Sequence, residues 1–442
     1  VAGGAVPTVN AASFSVGSDQ NGLAKLSQAI GTATATNSPS TFGIVSCSGC
    51  TNYFAISAGG AITVTSTGVS GIAPSWAGQT YSLVVNATNG SGPGGNTTLP
   101  ITFYPDGRLD APTATATYAA TINGYSYGAR PSFQVPDWDY GVGYPTGQSF
   151  TAWSAFSNAN CTVDTGASRY IRCDGGAGNT VTLDGIDFST TTGAYFYIPG
   201  GSAMTAITIT NSKFACGTDL DTPSGYFIQM QKDIALTITK STFDGTNCTG
   251  TTADQTSFIG VNGGTTSIKY ARFASGNQHI IEQVGGSAAQ NLTIRYSSHY
   301  QMARGLSHMN YTQWGTIVSG STADWQGNLG LQTSLTASAA GEGPQWYPNS
   351  GVQGLNTVNM SGNVFIARKS GVTSVSYWVH GAATASSPTA GTNTYNFFDT
   401  SGCVTESDSC AYYRSGTDNM GAGNNWTNTG NKNINTGAAI SP

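Results

Sequence analysis

Apolar and polar residues alternate at period two along several stretches of the first hundred residues. Phe54-Ala-Ile-Ser, Ala61-Ile-Thr-Val-Thr, Tyr81-Ser-Leu-Val-Val-Asn-Ala-Thr and Leu99-Pro-Ile-Thr-Phe each put their apolar side chains on one face, and Gly and Ser turns separate them. Residues 1–104 are therefore expected to form a small β-sandwich. The alternation then stops. Residues 105–158, with Pro112, Pro131, Pro136 and Pro145, read as a linker and an entry cap.

A longer period begins near residue 159. Val181-Thr-Leu-Asp-Gly-Ile-Asp-Phe188 is matched by Ile207-Thr-Ile-Thr-Asn-Ser-Lys-Phe214 and by Leu236-Thr-Ile-Thr-Lys-Ser-Thr-Phe243. Thr266-Ser-Ile-Lys-Tyr-Ala-Arg-Phe273 and Leu292-Thr-Ile-Arg-Tyr-Ser-Ser-His299 follow, and Val358-Asn-Met-Ser-Gly-Asn-Val-Phe365 is a weaker copy. The closing positions of the first five are 26, 29, 30 and 26 residues apart, within the roughly 20–45 residues of a solenoid repeat. Strand, short turn and strand at that interval describe one coil of a right-handed parallel β-helix. The expected fold is all-β: an N-terminal β-sandwich, then a right-handed parallel β-helix solenoid over 159–442 that ends in a C-terminal cap.

Composition agrees with stacked coils and excludes other classes. Only 16 Lys and Arg and 21 Asp and Glu occur in 442 residues, so 8% are charged against about 25% in ordinary domains. Coils stack at about 4.8 Å, where ladders of like charge repel while Thr, Ser and Asn can hydrogen-bond to their own kind. The 59 glycines serve the tight corners. Helical bundles need the Glu, Lys and Leu that are scarce here. Nucleic-acid binding needs a basic patch, and the net charge is −5 with no Lys/Arg cluster. With 38% hydrophobic residues, disorder is excluded as well.

Eight cysteines fall in close pairs: Cys47 and Cys50, Cys161 and Cys173, Cys216 and Cys248, Cys403 and Cys410. Such an even count predicts disulfides and an oxidising location. The Cys161–Cys173 loop alone would contribute roughly 3 kcal/mol by chain entropy. Neither a second Cys-x-x-Cys nor clustered His accompanies Cys47 and Cys50, so neither a metal nor a cofactor is expected. No stretch reaches the ~18 apolar residues of a membrane helix, and the chain begins at Val1 as a processed or trimmed protein would. An extracellular, cell-surface or virion location follows as an expectation.

Two resemblances extend this reading. The run "YSLVVNATNGSG…LPITF" resembles the closing strands of cadherin-like and related immunoglobulin-type modules, without the acidic calcium motifs of true cadherins. The repeat region resembles parallel β-helix proteins of the pectate-lyase and tailspike-like superfamily. Many of these carry a His-x-Asp-x-x-Gln-like strand where this chain has His308-x-Asn310-x-x-Gln313, with Asn replacing the acid. The ending Asn433-Ile-Asn-Thr-Gly is similar to β-helix tails of secreted and phage-encoded bacterial proteins.

A second strand follows each motif: Ala194–Ile198, Tyr226–Gln231, Phe258–Asn262, His279–Gln283, Ser307–Trp314, Glu342–Tyr347 and Tyr377–His380. Alternation turns Met309 and Tyr311 inward. It turns Gln229, Gln231, Asn262, Glu282, His308, Asn310, Glu342 and His380 outward. With Gln313, Gln345, Trp346 and Trp378 they form a strip of amides, acids and aromatic faces suited to a sugar chain. Catalysis would need two carboxylates. Glu282 and Glu342 are the outward candidates, about two coils or 10 Å apart, with Asp244 and Asp324 of unknown orientation. A lyase base would come from Arg295, Arg304 or His308. No catalytic residue is firm, and Glu282, His308 and Glu342 are the candidates. His299 sits at the Phe position of the motif and is expected to be a core ring, and Asp219 and Asp221 are expected to be turn residues. The leading expectation is a non-enzymatic extracellular fibre or spike, a phage tail or surface fibre or a bacterial adhesin, that binds a surface polysaccharide as a homotrimer or larger virion or filament assembly, without nucleic acid or a membrane span. A secreted polysaccharide lyase or glycoside hydrolase is the rival, and a purely structural particle or filament subunit is the third reading.

Overall fold

The structure is a computed structural model. It describes residues 4–114, 127–176, 179–189, 194–215, 225–246, 257–275, 279–283, 288–300, 311–314, 318–332, 341–342, 344–348, 356–367, 375–377, 390–400 and 426–440. The chain divides into two compact units. One comprises Val1–Asp110 with Pro131–Gln134, and the other Ala111–Arg130 with Val135–Pro442.

The first unit contains two sheets around one core. In the larger sheet Phe14–Gly17, Thr97–Tyr104, Gln79–Asn89 and Thr41–Ser48 lie in that order, with Gly92–Pro93 beside Gln79–Asn89. Ala29–Thr32, Ala61–Val64 and Phe54–Ile56 make the smaller one. The period-two positions behave as expected. Tyr81, Leu83, Val85 and Ala87 point into the core with Leu99, Ile101 and Phe103, and meet Phe54, Ile62 and Val64 of the other sheet. The Cys47–Cys50 disulfide closes the turn at the end of Thr41–Ser48, where Cys50 N–H also donates to Cys47 O.

The second unit is an all-β parallel solenoid with three long sheets. Sheet A runs through Cys161–Asp164, Tyr170–Cys173, Tyr195–Ile198, Tyr226–Met230, Ser257–Val261, Ile281–Gln283, Thr312–Trp314 and Pro344–Pro348. Sheet B runs through Asn179–Asp184, Met204–Thr210, Ile234–Thr239, Gly264–Lys269, Gln290–Arg295, Thr322–Gln326, Thr357–Ser361, Ala390–Thr394 and Trp426–Thr429. Sheet C holds ten short strands from Thr151–Ala152 to Lys432–Asn433.

Up to the coil that ends at Val364–Ala367, each coil thus has three strands where the sequence pattern implied two. The eight-residue motif bends at its fifth residue, and its halves enter sheets B and C. The bend is a left-handed backbone position in all nine coils. Gly185, Asn211, Lys240, Tyr270, Tyr296, Gly327, Gly362, Tyr395 and Gly430 have φ between 50° and 69°. The next residue ties the coils together. Its Ser or Asn side chain accepts the N–H of the equivalent residue one coil before: Ile186 N–H to Ser212 Oγ at 3.1 Å, Ala271 N–H to Ser297 Oγ at 3.1 Å, Asn328 N–H to Asn363 Oδ1 at 3.0 Å and Asn363 N–H to Asn396 Oδ1 at 2.8 Å. A buried corner donor is thereby satisfied in successive coils.

Inside, like stacks on like. Leu183, Ile209, Ile238, Ile268, Ile294, Trp325 and Met360 are in register on sheet B. The closing positions on sheet C form an aromatic ladder. Phe188 and Phe214 stack at 4.3 Å, Phe214 and Phe243 at 4.6 Å, and Phe243 and Phe273 at 4.9 Å. Burying each such ring is worth about 1.5–3 kcal/mol. Outside, the sheet B positions 182, 208, 237, 267 and 293 are Thr, Thr, Thr, Ser and Thr in register. Where charges fall in neighbouring coils they are mostly matched: Asp187 lies beside Lys213 at 3.8 Å. Lys269 and Arg295 are stacked like charges, and Arg295 is drawn off by Asp324, its Nε donating to Oδ2 at 2.6 Å.

Two features secure the stack. Cys161–Asp164 pairs antiparallel with Tyr170–Cys173, and the Cys161–Cys173 disulfide ties this hairpin across the edge of sheet A. Part of the proline-rich stretch follows the solenoid lengthwise. Ala129 N–H donates to Ile434 O in the last coil at 3.0 Å, Gly143 N–H to Tyr270 O in the middle at 2.8 Å, and Thr151 N–H to Gly185 O in the first at 2.8 Å. At its centre Asp137 and Arg272 form a buried two-pronged ion pair, with Nε to Oδ2 at 2.8 Å, which Ser298 Oγ joins. Cys216, Cys248, Cys403 and Cys410 lie outside the described residues.

Candidate functional site

Parallel pairing puts equivalent side chains of sheet A in rows along the solenoid. Ile171, Phe196, Ile228, Ile259 and Ile281 form an inward row in the core. The next position along each strand faces outward, and there Arg172, Tyr197, Gln229, Gly260 and Glu282 follow one another in register. Four steps of about 4.8 Å make this row about 19 Å long.

Its centre is preorganised. Tyr226 starts its strand, and the ordinary alternation breaks there, since Phe227 and Ile228 are both buried. The Tyr226 ring instead crosses the outer face above Gly260, where a Cβ would come within 2.8 Å of its Cε1. From there its hydroxyl donates to Glu282 Oε2 at 2.8 Å, and Ser257 Oγ donates to the same oxygen at 2.9 Å. Burial first, then the neighbouring Glu282 charge and the hydrogen bond, hold the Tyr226 hydroxyl far above the usual phenol range. It stays a proton donor at any physiological pH. Glu282 is the only carboxylate on the parallel strands of sheet A among the described residues.

The ends of the row are polar as well. Arg172 donates to Asp174 through Nε at 2.8 Å and Nη2 at 3.0 Å, with its guanidinium 5.9 Å from the Tyr197 ring centroid. Tyr197 Oη donates to Gln231 Oε1 at 2.8 Å. Asn262 Nδ2 donates to Gln231 O at 2.8 Å and Gln283 Nε2 to Asn262 O at 3.0 Å, so Gln231, Asn262 and Gln283 form a linked edge just past the row.

Of the residues expected to form the strip, Gln229 and Glu282 share the outward row, and Gln231 and Asn262 lie beside it. The backbone of Gln313 pairs in register with Glu282. Gln345 and Trp346 belong to the last strand of sheet A, Pro344–Pro348, and their side chains are outside the described set. His308, Asn310, Trp378 and His380 lie outside the described residues, as do Asp219 and Asp221. Glu342 is not on sheet A: Gly341–Glu342 pairs with Val375–Tyr377 in a separate two-stranded sheet. Asp244 and Asp324 are on sheets C and B. His299 is a core ring, 1% exposed and stacked on Phe273. Arg172, Tyr226, Ser257 and Gly260 were absent from the expected site. Strict alternation from Ile228 turns Tyr226 inward, and the nearest sequence signal for it was a glycine interrupting an otherwise apolar strand.

Among the described residues no group of three or more His, Cys, Asp and Glu could hold a metal ion, and no helix is long and apolar enough to cross a membrane. Compared with known proteins, the chain matches no family model, no curated protein and no solved structure.

Proposed function

We propose that this chain is an extracellular fibre, spike or surface protein that holds a polysaccharide along the outer face of sheet A. The observation that carries the reading is the row Arg172, Tyr197, Gln229, Gly260 and Glu282, with Glu282 fixed by Tyr226 and Ser257. A sugar chain is a line of hydroxyls at regular spacing, and a row of fixed acceptors, amides and an aromatic ring is the matching surface. Little ordering cost falls on Arg172, Tyr197 and Glu282, whose side chains are already hydrogen-bonded.

The pectate-lyase and tailspike-like resemblance supports the same reading, and the cadherin-like first unit would serve as attachment or spacer. The disulfides Cys47–Cys50 and Cys161–Cys173 support an oxidising, extracellular setting. The flat Thr-rich flank of sheet B suits side-by-side packing in a homotrimer, which light scattering would test. The reading is for binding, since a hydrolase of this design would pair Glu282 with a second carboxylate, and the parallel strands of sheet A carry none other among the described residues. Incubation with a panel of bacterial capsular and lipopolysaccharide glycans tests it. Retention without release of reducing ends or unsaturated sugar is the expected result, and depolymerisation would overturn it in favour of an enzyme.

A further inference from the structure

We infer that the outer row of sheet A takes a neutral polysaccharide and turns away chains bearing uronate or sialate groups, with Glu282 as the residue that sets this choice. The inference rests on the reading of sheet A as a glycan-binding face. It comes from where the charges sit. Glu282 lies in the row itself, and both of its hydroxyl donors hold the same oxygen, Oε2, so the carboxylate is fixed facing the ligand side. Tyr226 and Ser257 are neutral and leave its charge uncompensated.

Among the described residues the row has one cation, Arg172, four strands away or about 19 Å, beyond a Debye length at physiological salt. That guanidinium is already engaged by both oxygens of Asp174. Lys232 follows Gln231 closely in sequence, but its Nζ is turned to the carbonyl oxygens of Ser202 and Met204, the latter at 3.2 Å. Between Arg172 and Glu282 the row offers Tyr197, Gln229 and Gly260, which are all uncharged. An incoming carboxylate would therefore face a fixed like charge with no cation among the described residues of the row to answer it, whereas a hydroxyl would find acceptors.

The Glu282→Gln variant separates the outcomes, because the amide Oε1 can still accept from Tyr226 and Ser257. Retention would be measured by affinity electrophoresis in gels containing a neutral polymer (dextran, mannan or galactan) or an acidic one (polygalacturonate or hyaluronan). Wild-type protein is expected to be retarded by a neutral polymer at any salt concentration and not by the acidic ones. Glu282→Gln should shift the ratio of acidic to neutral binding at least about tenfold toward the acidic polymers, the scale of one like-charge contact removed. Should the variant lose its melting transition, wild-type protein alone decides: raising the salt concentration should strengthen its weak interaction with acidic polymer. Equal or tighter wild-type binding to acidic polymers overturns the inference and leaves the glycan-binding reading standing. Retention by no polymer of either kind would remove that reading too.

Discussion

His299 takes the place of a phenylalanine in the aromatic ladder of sheet C, and neither of its ring nitrogens has a hydrogen-bond partner. It stacks on Phe273 at 5.3 Å and meets Tyr311 at 5.1 Å and Trp325 at 4.9 Å. Next in the ladder is Gly330, where a Cβ would come within 2.8 Å of the Tyr311 ring, so that ring fills the gap. Burial pushes the imidazole down to about 3 from its ordinary 6.5. The unfolded chain therefore takes up a proton below 6.5 that the folded chain refuses until about 3, and stability falls as pH drops through that window. His299→Phe should remove this loss and the two unsatisfied nitrogens together. Its melting temperature should exceed that of the wild type, by a margin that grows from pH 6.5 down toward 3. A margin independent of pH would contradict the account. Lys240 offers a second test at the same scale. Its φ of 50° is the conformation that glycine adopts at the equivalent Gly185 and Gly327. Lys240→Gly should stabilise by about 0.5–1 kcal/mol in denaturant melts, the left-handed strain released less the entropy glycine adds to the unfolded chain.

Among the elements, the strands were the most legible and the corners the least. Period-two runs such as Tyr81–Thr88 and the motifs ending at Phe188, Phe214, Phe243 and Phe273 locate strands because burial on one face demands that spacing. Three later coils escaped notice. Ala323–Gly330, Gly391–Phe398 and Trp426–Asn433 occupy the same registers but put Trp, Gly and Asn where earlier coils have aliphatic residues. Burial tolerates such exchanges when a neighbour fills the space, as Tyr311 does over Gly330. Alternation likewise could not foresee the turn of Tyr226 over Gly260, which depends on a partner one strand away. The lengthwise strap was invisible for the same reason. Asp137 and Arg272 are 135 residues apart, and no local pattern joins them. Arg272→Met strands a buried carboxylate and should cost about 3–5 kcal/mol. Adding Asp137→Leu should recover part of it, since a buried ion pair is replaced by apolar packing more cheaply than it is broken. A double variant no more stable than the single one would show that the ion pair does not fasten the strap.

The scarcity of charge belongs to the molecule as a whole. Nine coils among the described residues stack their outer positions in register, and apart from Lys269 beside Arg295 the few charges that fall there are mostly matched, as Asp187 with Lys213 and Arg295 with Asp324. Against that background Glu282 stands out as a charge in the middle of an otherwise uncharged stretch, held by a tyrosine and a serine. Sheets A and B then differ in kind. Sheet B presents a repeated lawn of Thr and Ser, whereas sheet A presents a row of distinct, fixed groups suited to selecting a ligand. The most direct test of that difference is affinity electrophoresis in gels containing the retained polysaccharide, comparing Tyr197→Ala and Gln229→Ala on sheet A with Thr208→Ala and Thr237→Ala on sheet B. The account predicts that each sheet A variant loses about tenfold or more in affinity, as loss of a central contact does, and that the sheet B variants migrate as wild type. Loss of retention in the sheet B variants, with the sheet A variants unaffected, would contradict it.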